Sequence, residues 1–157
     1  MSNNSIISPQ VADEAINMLQ VTNYEPLLIN GTAHAELITA MERKLKGLIP
    51  FVIENDPDAT SYIEKLVQDE EIKCNLITEE TAGEYSHLVA DLSKLSGPEL
   101  IKQLNINAER VTVKGRFVAI ISVTNTVPFK AFIKNYDGWT ERSQVNNKIC
   151  FVGLNKK

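Results

Sequence analysis

The spacing of apolar residues changes along this 157-residue chain, and the change limits the folds open to it. In roughly the first two thirds, short apolar runs alternate with stretches whose apolar residues recur every three to four positions. In the last third the helical period is gone and strand-like alternation takes over.

Ser8-Pro9 has the form of an N-cap followed by proline at the first helical position. Ala12, Ala15, Ile16 and Leu19 then make one stripe, which predicts a helix near 9–20. Pro26–Asn30 reads as a short buried strand ended by Gly31-Thr32. Thr32 is placed to cap a helix near 33–46, along which Ala33, Leu37, Met41 and Leu45 repeat every four residues. The unit then recurs. Ile49–Glu54 is a strand, Asp56-Pro57 is a second cap-plus-proline signal, and Ala59, Tyr62, Ile63, Leu66 and Val67 form a helical stripe before a strand at Ile72–Thr78. Strands alternating with helices of this length predict βαβ units and a parallel section of sheet.

Tyr85–Leu92 reads as a strand, and Ser96-Gly97-Pro98-Glu99 fits a capping box opening a short helix near 97–104. Arg110–Lys114, Arg116–Thr124, Val127–Tyr136, Trp139–Val145 and Lys148–Leu154 are strand-like, with connections at Gly115, Asn125-Thr126, Asp137-Gly138 and Asn146-Asn147. Asp-Gly favours a two-residue hairpin, because a type I′ turn needs positive φ twice. Phe117–Ile121 is apolar on both faces, as in a central strand. The expected architecture is a single α/β domain over 1–157, tending to α+β, with a mixed sheet. Its acidic βαβ-rich part covers 9–78 and its basic antiparallel meander covers 110–154. Hydrophobic residues are 43% of the chain, enough for a real core. No apolar run is long enough to span a membrane, and Met1–Ile7 lacks the basic and apolar regions of a secretion signal, so a cytoplasmic protein is expected.

Charge divides along the chain in the same way. Residues 1–100 carry 17 Asp/Glu and 6 Lys/Arg, whereas residues 101–157 carry 3 and 10. Such a split points to a charged partner or to two surfaces neutralising each other. Asp69, Glu70 and Glu71 fall where the third helix should end, and there the helix dipole disfavours anions by about 0.3–1 kcal/mol each. That conflict calls for a cationic neighbour. Glu64, Asp69, Glu70 and Glu71 are accordingly the candidate docking face for a basic protein, against the plainer reading of a solvated surface.

A second candidate surface is Lys130, Phe132, Lys134 and Tyr136, which share one face of a strand. Cations that neutralise phosphates, interleaved with rings that stack bases, suit a single-stranded nucleic acid. Lys114, Arg116 and Arg142 would extend it. The plainer reading buries Phe132 under a helix with the lysines reaching past it.

The third candidate is the joint at Asn30-Gly31-Thr32, where free backbone N–H groups at a helix start suit a phosphate. Gly31, Thr32 and His34 are its ligand residues, although neither GxGxxG nor GxxxxGK[ST] occurs in the chain. His34-Ala35-Glu36 lacks the Pro-Cys-x-x-Cys of zinc deaminases. Cys74 and Cys150 read as small buried hydrophobes. Ser86-His87 with Asp91 lacks a GxSxG elbow, and neighbours on a strand point to opposite faces. No catalytic residue, metal or cofactor is expected on these grounds.

Ile53-Glu54-Asn55-Asp56 and Phe132-Ile133-Lys134-Asn135-Tyr136 carry a texture that resembles the small Asn/Lys/Ile/Glu-rich proteins of T4-like bacteriophages. The resemblance implies a host-cytoplasmic protein that binds host or phage machinery rather than one that catalyses. The expectation is a non-enzymatic binding protein docking a macromolecular partner, a protein in the first place, through its charged face. A single-stranded nucleic-acid binder and a small-ligand or phosphate-binding enzyme at the 30–34 turn are the alternatives.

Overall fold

Two helices begin where their cap-plus-proline signals predict. In α1 (Pro9–Leu19) the Ser8 hydroxyl accepts from the Val11 N–H at 3.2 Å. In α3 (Pro57–Gln68) the Asp56 carboxylate accepts from the Asp58 N–H at 3.4 Å. The computed structural model describes residues 8–21, 26–31, 35–122, 124, 137–143 and 149–155. Beyond residue 124, the side chains described are those of residues 152 and 153.

α2 (Glu36–Lys44) starts later than predicted. Its cap position is Ala35, left-handed at φ +73° and without a side-chain cap bond, whereas Thr32 lies outside the described residues. α4 (Gly97–Glu109) runs past the predicted end near 104, and Ser96 at its cap position makes no side-chain cap bond. Asn105 and Asn107 lie in the added turn, and their amides donate back to the carbonyls of Ile101 at 3.0 Å and Gln103 at 2.8 Å.

The strands are β1 (Leu27–Asn30), β2 (Phe51–Ile53), β3 (Asn75–Leu76), β4 (Tyr85–Asp91), β5 (Val111–Ser122), β6 (Asp137–Ser143) and β7 (Ile149–Asn155). They form one seven-stranded sheet in the order β3-β2-β1-β4-β5-β7-β6. The first five are parallel, and β7 is antiparallel to both its neighbours. The expected α/β class and mixed sheet are therefore present.

Three details differ. Residues 110–114 and 116–124 are not two strands joined at Gly115, because β5 runs through that point and pairs in parallel with β4. The irregularity is a bulge. Register jumps from Tyr85↔Val111 to His87↔Arg116, with Lys114 left-handed at φ +67°. A Cβ on Gly115 would lie 2.7 Å from Val111 Cγ1 and 2.9 Å from Ser86 O, so the bulge closes over a residue without a side chain. Asp137-Gly138 is not a hairpin turn, since both residues open β6. Finally, β7 lies between β5 and β6, so the antiparallel part is not a sequential meander. The strand expected over 127–136 falls outside the described residues.

Both faces of the sheet are covered. Leu27, Ile29, Val89, Val118 and Ile120 pack with α1, α2 and Ile63 of α3. Leu28, Leu88, Ala90, Phe117, Ala119 and Ile121 face Leu100 and Leu104 of α4. This is the period-two alternation of strands buried on both sides, and each fully buried Leu or Ile contributes roughly 1.5–3 kcal/mol. β1 is flanked by β2 on one side and β4 on the other, so strand order reverses at β1. In open parallel sheets a ligand crevice forms outside the carboxyl ends of the strands at such a point. No described helix is long and apolar enough to cross a membrane.

Candidate functional site

The carboxyl ends of β1, β2 and β4 enclose a cavity of about 310 Å³, within the size range of ligand sites. β1 ends at Asn30, and Gly31 turns the chain with φ +81°. A Cβ at Gly31 would come 3.3 Å from the Asp91 carbonyl oxygen, so glycine here lets the ends of β1 and β4 close on each other. Glu54 and Asp56 reach the cavity from the loop after β2, Asp91 from the end of β4, and Lys94 from the segment beyond. Ala59, Leu92 and Leu95 supply its apolar wall.

The acid-bearing loop is held on several sides. Glu54 Oε2 accepts from the Asp56 N–H at 3.2 Å. The Thr60 hydroxyl meets the carbonyls of Glu54 at 3.1 Å and Asp56 at 3.0 Å. The Asn55 amide donates to Glu79 at 3.2 Å, and Glu79 is ion-paired to Arg110 at the end of α4.

The cavity is electronegative. Glu54, Asp56, Asp91 and Glu99 line it against Lys94. Asp91 Oδ1 accepts from the Ser93 hydroxyl at 2.6 Å and the Ser93 N–H at 3.2 Å. Burial pushes the Asp91 carboxyl above its ordinary range and the Glu54 charge adds to the rise, although the Ser93 bonds and Lys94 pull the other way. Asn30 is 7% exposed and its amide nitrogen donates to Asn107 Oδ1 at 2.7 Å. Among the described residues no donor reaches its side-chain oxygen, Oδ1. The polar groups of the cavity are thus mostly acceptors, which suits ammonium, sulfonium and hydroxyl groups and repels phosphates.

Of the residues singled out from the sequence, Gly31 lines this cavity, while Thr32 and His34 lie outside the described residues. Glu64, Asp69, Glu70 and Glu71 are exposed, Glu64 about 12 Å along α3 from Asp56 and Asp69 at its far end, about 20 Å away. Glu70 is left-handed at φ +61° and the Glu71 N–H bonds to the Leu66 carbonyl at 2.9 Å, so the acidic run closes the helix. No cation pairs with these four among the described residues, and the basic neighbour expected there is absent from that set. The two charged halves meet instead at Glu79 and Arg110.

Lys130, Phe132, Lys134 and Tyr136 lie outside the described residues. Arg116, offered as an extension of their surface, is 7% exposed and its Nε donates to the Met18 carbonyl at 2.9 Å. Ser86 and His87 do touch, Oγ to Nδ1 at 2.9 Å, because the register shift disturbs the expected alternation. Asp91 is four residues further along β4, roughly 13 Å away, so the three make no triad. Burial raises the Cys74 thiol to about 11, which makes it unreactive. Among the described residues no group of three or more His, Cys, Asp or Glu is placed to hold a metal. Asn30 was set in the candidate joint but not among its ligand residues, and Glu54 and Asp91 were missed as residues of this site. Their signal was positional, since Asn30 and Glu54 end runs predicted as strands and Asp91 is next to last in another.

No protein-family model and no curated protein matches the sequence. Solved structures match its fold along almost the whole chain. A methyltransferase from Pyrococcus furiosus superposes with TM-score 0.74 at 13% identity, covering 96% of this chain and 83% of that one. A precorrin-6y C5,15-methyltransferase from Geobacter metallireducens gives 0.74 at 14%, covering 99% and 93%. Magnesium protoporphyrin IX methyltransferase from Synechocystis, determined with bound SAM, gives 0.74 at 9%, covering 95% and 79%. At these identities the likeness establishes the fold, which is that of the Rossmann-like methyltransferases. The expectation of a non-enzymatic protein docking through an acidic face is overturned by this finding, because these three neighbours are methyltransferases. Of the expectations drawn from the sequence, the small-ligand enzyme at the 30–34 joint agrees with it better.

Proposed function

We propose that the protein is a methyltransferase that holds S-adenosylmethionine at the carboxyl edge of β1, β2 and β4. The observation that carries this reading is the acceptor-rich, electronegative cavity at the point where strand order reverses. The cofactor presents a sulfonium, an ammonium, a ribose diol and the adenine amino group, each of which can meet a carboxylate as a cation or a hydrogen-bond donor. Its one carboxylate has a match in Lys94. A dinucleotide or nucleoside triphosphate would instead bring phosphates against four carboxylates.

The residues present fit the group. Glu54 directly follows β2, about twenty residues after Gly31, which is where a carboxylate takes ribose hydroxyls in nucleotide-binding folds of this type. Asp91 and Asn30 place acceptors beside it, and Leu92, Leu95 and Ala59 offer an apolar wall for the base. When bound, the cofactor supplies an electrophilic methyl group on sulfur. The part played by this chain is binding and orientation. The braced loop at 54–56 fixes the carboxylates, and the close approach at Gly31 brings the ends of β1 and β4 to the same ligand.

Isothermal titration with S-adenosylmethionine and S-adenosylhomocysteine, beside ATP and inorganic phosphate, tests the reading. Both adenosyl compounds are expected to bind while ATP and phosphate do not, and Glu54→Ala should weaken binding about tenfold, the worth of one good hydrogen bond. No binding of either adenosyl compound, or equal binding of ATP, would defeat it.

A further inference from the structure

We propose that Asn107 is a positioning residue that turns the side-chain oxygen Oδ1 of Asn30 into the cavity, where this oxygen accepts from an ammonium or hydroxyl group of the bound nucleoside. The inference rests on the cofactor reading above.

A relay of three groups sets the direction. Asn107 Nδ2 donates to the backbone carbonyl of Gln103 at 2.8 Å, and Asn30 Nδ2 donates to Asn107 Oδ1 at 2.7 Å. A side-chain amide has one donor end and one acceptor end, and which is which follows from its partners. The Gln103 carbonyl has no proton to give, so it can only accept. Asn107 must therefore direct its nitrogen at Gln103 and its oxygen at Asn30. Asn30 must then direct its nitrogen at Asn107, which leaves its oxygen for the cavity. The orientation at the site is thus dictated by a backbone group one helical turn away.

The position of Asn107 argues for such a role. It is fully buried, in a helix whose inner face otherwise carries Leu100, Leu104 and Ala108. An apolar side chain would continue that stripe without a buried amide to satisfy, and Asn is a weak helix former. A polar residue that breaks a local pattern at no evident gain in packing is a mark of a functional constraint. Asn30 in turn occupies the centre of the carboxyl edge, in register with Ile53 of β2 and Ala90 of β4, one residue before Glu54 and Asp91 respectively.

The test is a double-mutant cycle read by titration with S-adenosylhomocysteine, with melting temperature followed in parallel. Asn107→Leu should weaken binding about tenfold with the protein still folded, and Asn30→Ala by a similar factor. Because Asn107 acts through Asn30, the double variant should bind no more weakly than Asn30→Ala alone. A packing role for Asn107 predicts instead losses that multiply. Wild-type NMR keeps the inference testable if a variant does not fold, since the Asn30 side-chain amide resonances should shift on saturation with the ligand. Unchanged affinity in Asn107→Leu, multiplying losses, or unmoved Asn30 resonances would overturn the inference while the cofactor reading stands. Wild-type protein that does not bind the ligand overturns both.

Discussion

Gly153 of β7 lies against the guanidinium of Arg116, and a Cβ there would come within 2.6 Å of Nη2 and 2.9 Å of Cζ. Arg116 has little room to retreat, being almost fully buried with its Nε bonded to the Met18 carbonyl. Gly153→Ala is therefore expected to destabilise the fold by about 1–3 kcal/mol, the usual cost of overpacking, as measured by urea denaturation. A free energy of unfolding equal to wild type would mean that the guanidinium moves aside at no cost.

Gly31→Ala places a side chain on a left-handed residue and against the Asp91 carbonyl oxygen. The left-handed conformation alone costs roughly 1–2 kcal/mol for a residue with a Cβ. The variant should lose about that much stability and also bind S-adenosylhomocysteine more weakly, because the ends of β1 and β4 are pushed apart. Loss of stability with unchanged affinity would separate the turn from the site.

Asp91 should make the protein less stable as pH rises. Its folded carboxyl is raised above the ordinary 3.8, by burial first and Glu54 second, so the unfolded chain gives up its proton earlier. The folded state then holds more protons between the two values, and stability falls across that interval as pH climbs. Asp91→Asn keeps an oxygen for Ser93 and removes the titration. Its melting temperature should exceed that of wild type at pH 7, with the difference shrinking as pH falls towards about 4.

Glu79 should behave in the opposite sense. Burial pushes its carboxyl up, but hydrogen bonds from Arg110 and Asn55, with the Arg110 charge, outweigh that and hold it below the ordinary 4.5. Its contribution is fully present above that value and lost as pH falls through the lower folded value. Glu79→Ala leaves the largely buried Arg110 without its anion, and Arg110 Nη1 already lacks a hydrogen-bond partner among the described residues. Because Glu79 is more than a third exposed, solvent screening limits the expected loss to about 1 kcal/mol near pH 7. Wild type and variant should converge in acid; a constant gap in denaturation midpoint at all pH values would contradict the assignment.

Features set by near neighbours in the chain were legible. Ser8 with Pro9 and Asp56 with Pro57 cap their helices through bonds to residues two or three positions on. The apolar run Phe117–Ile121 marked a central strand correctly. Lys114-Gly115 was misread because a positive φ beside a glycine serves a bulge as well as a turn. The place of β7 between β5 and β6 depends on pairings across distant segments, which no local pattern encodes. The same holds for the site, where Asn30 and Asn107 are 77 residues apart. The acidic run at 69–71 drew attention through charge alone, and its local task is to close a helix.

The insertion of β7 has a consequence for how the protein is made. Ribosomes deliver β6 before β7, yet among the described strands β6 pairs with β7 alone. Until β7 emerges, the edge of β5 that β7 covers lacks that strand, and β6 lacks its partner among the described strands. Closure of this side of the sheet thus waits on β7, and until then the unpaired edge of β5 is open to association with other chains.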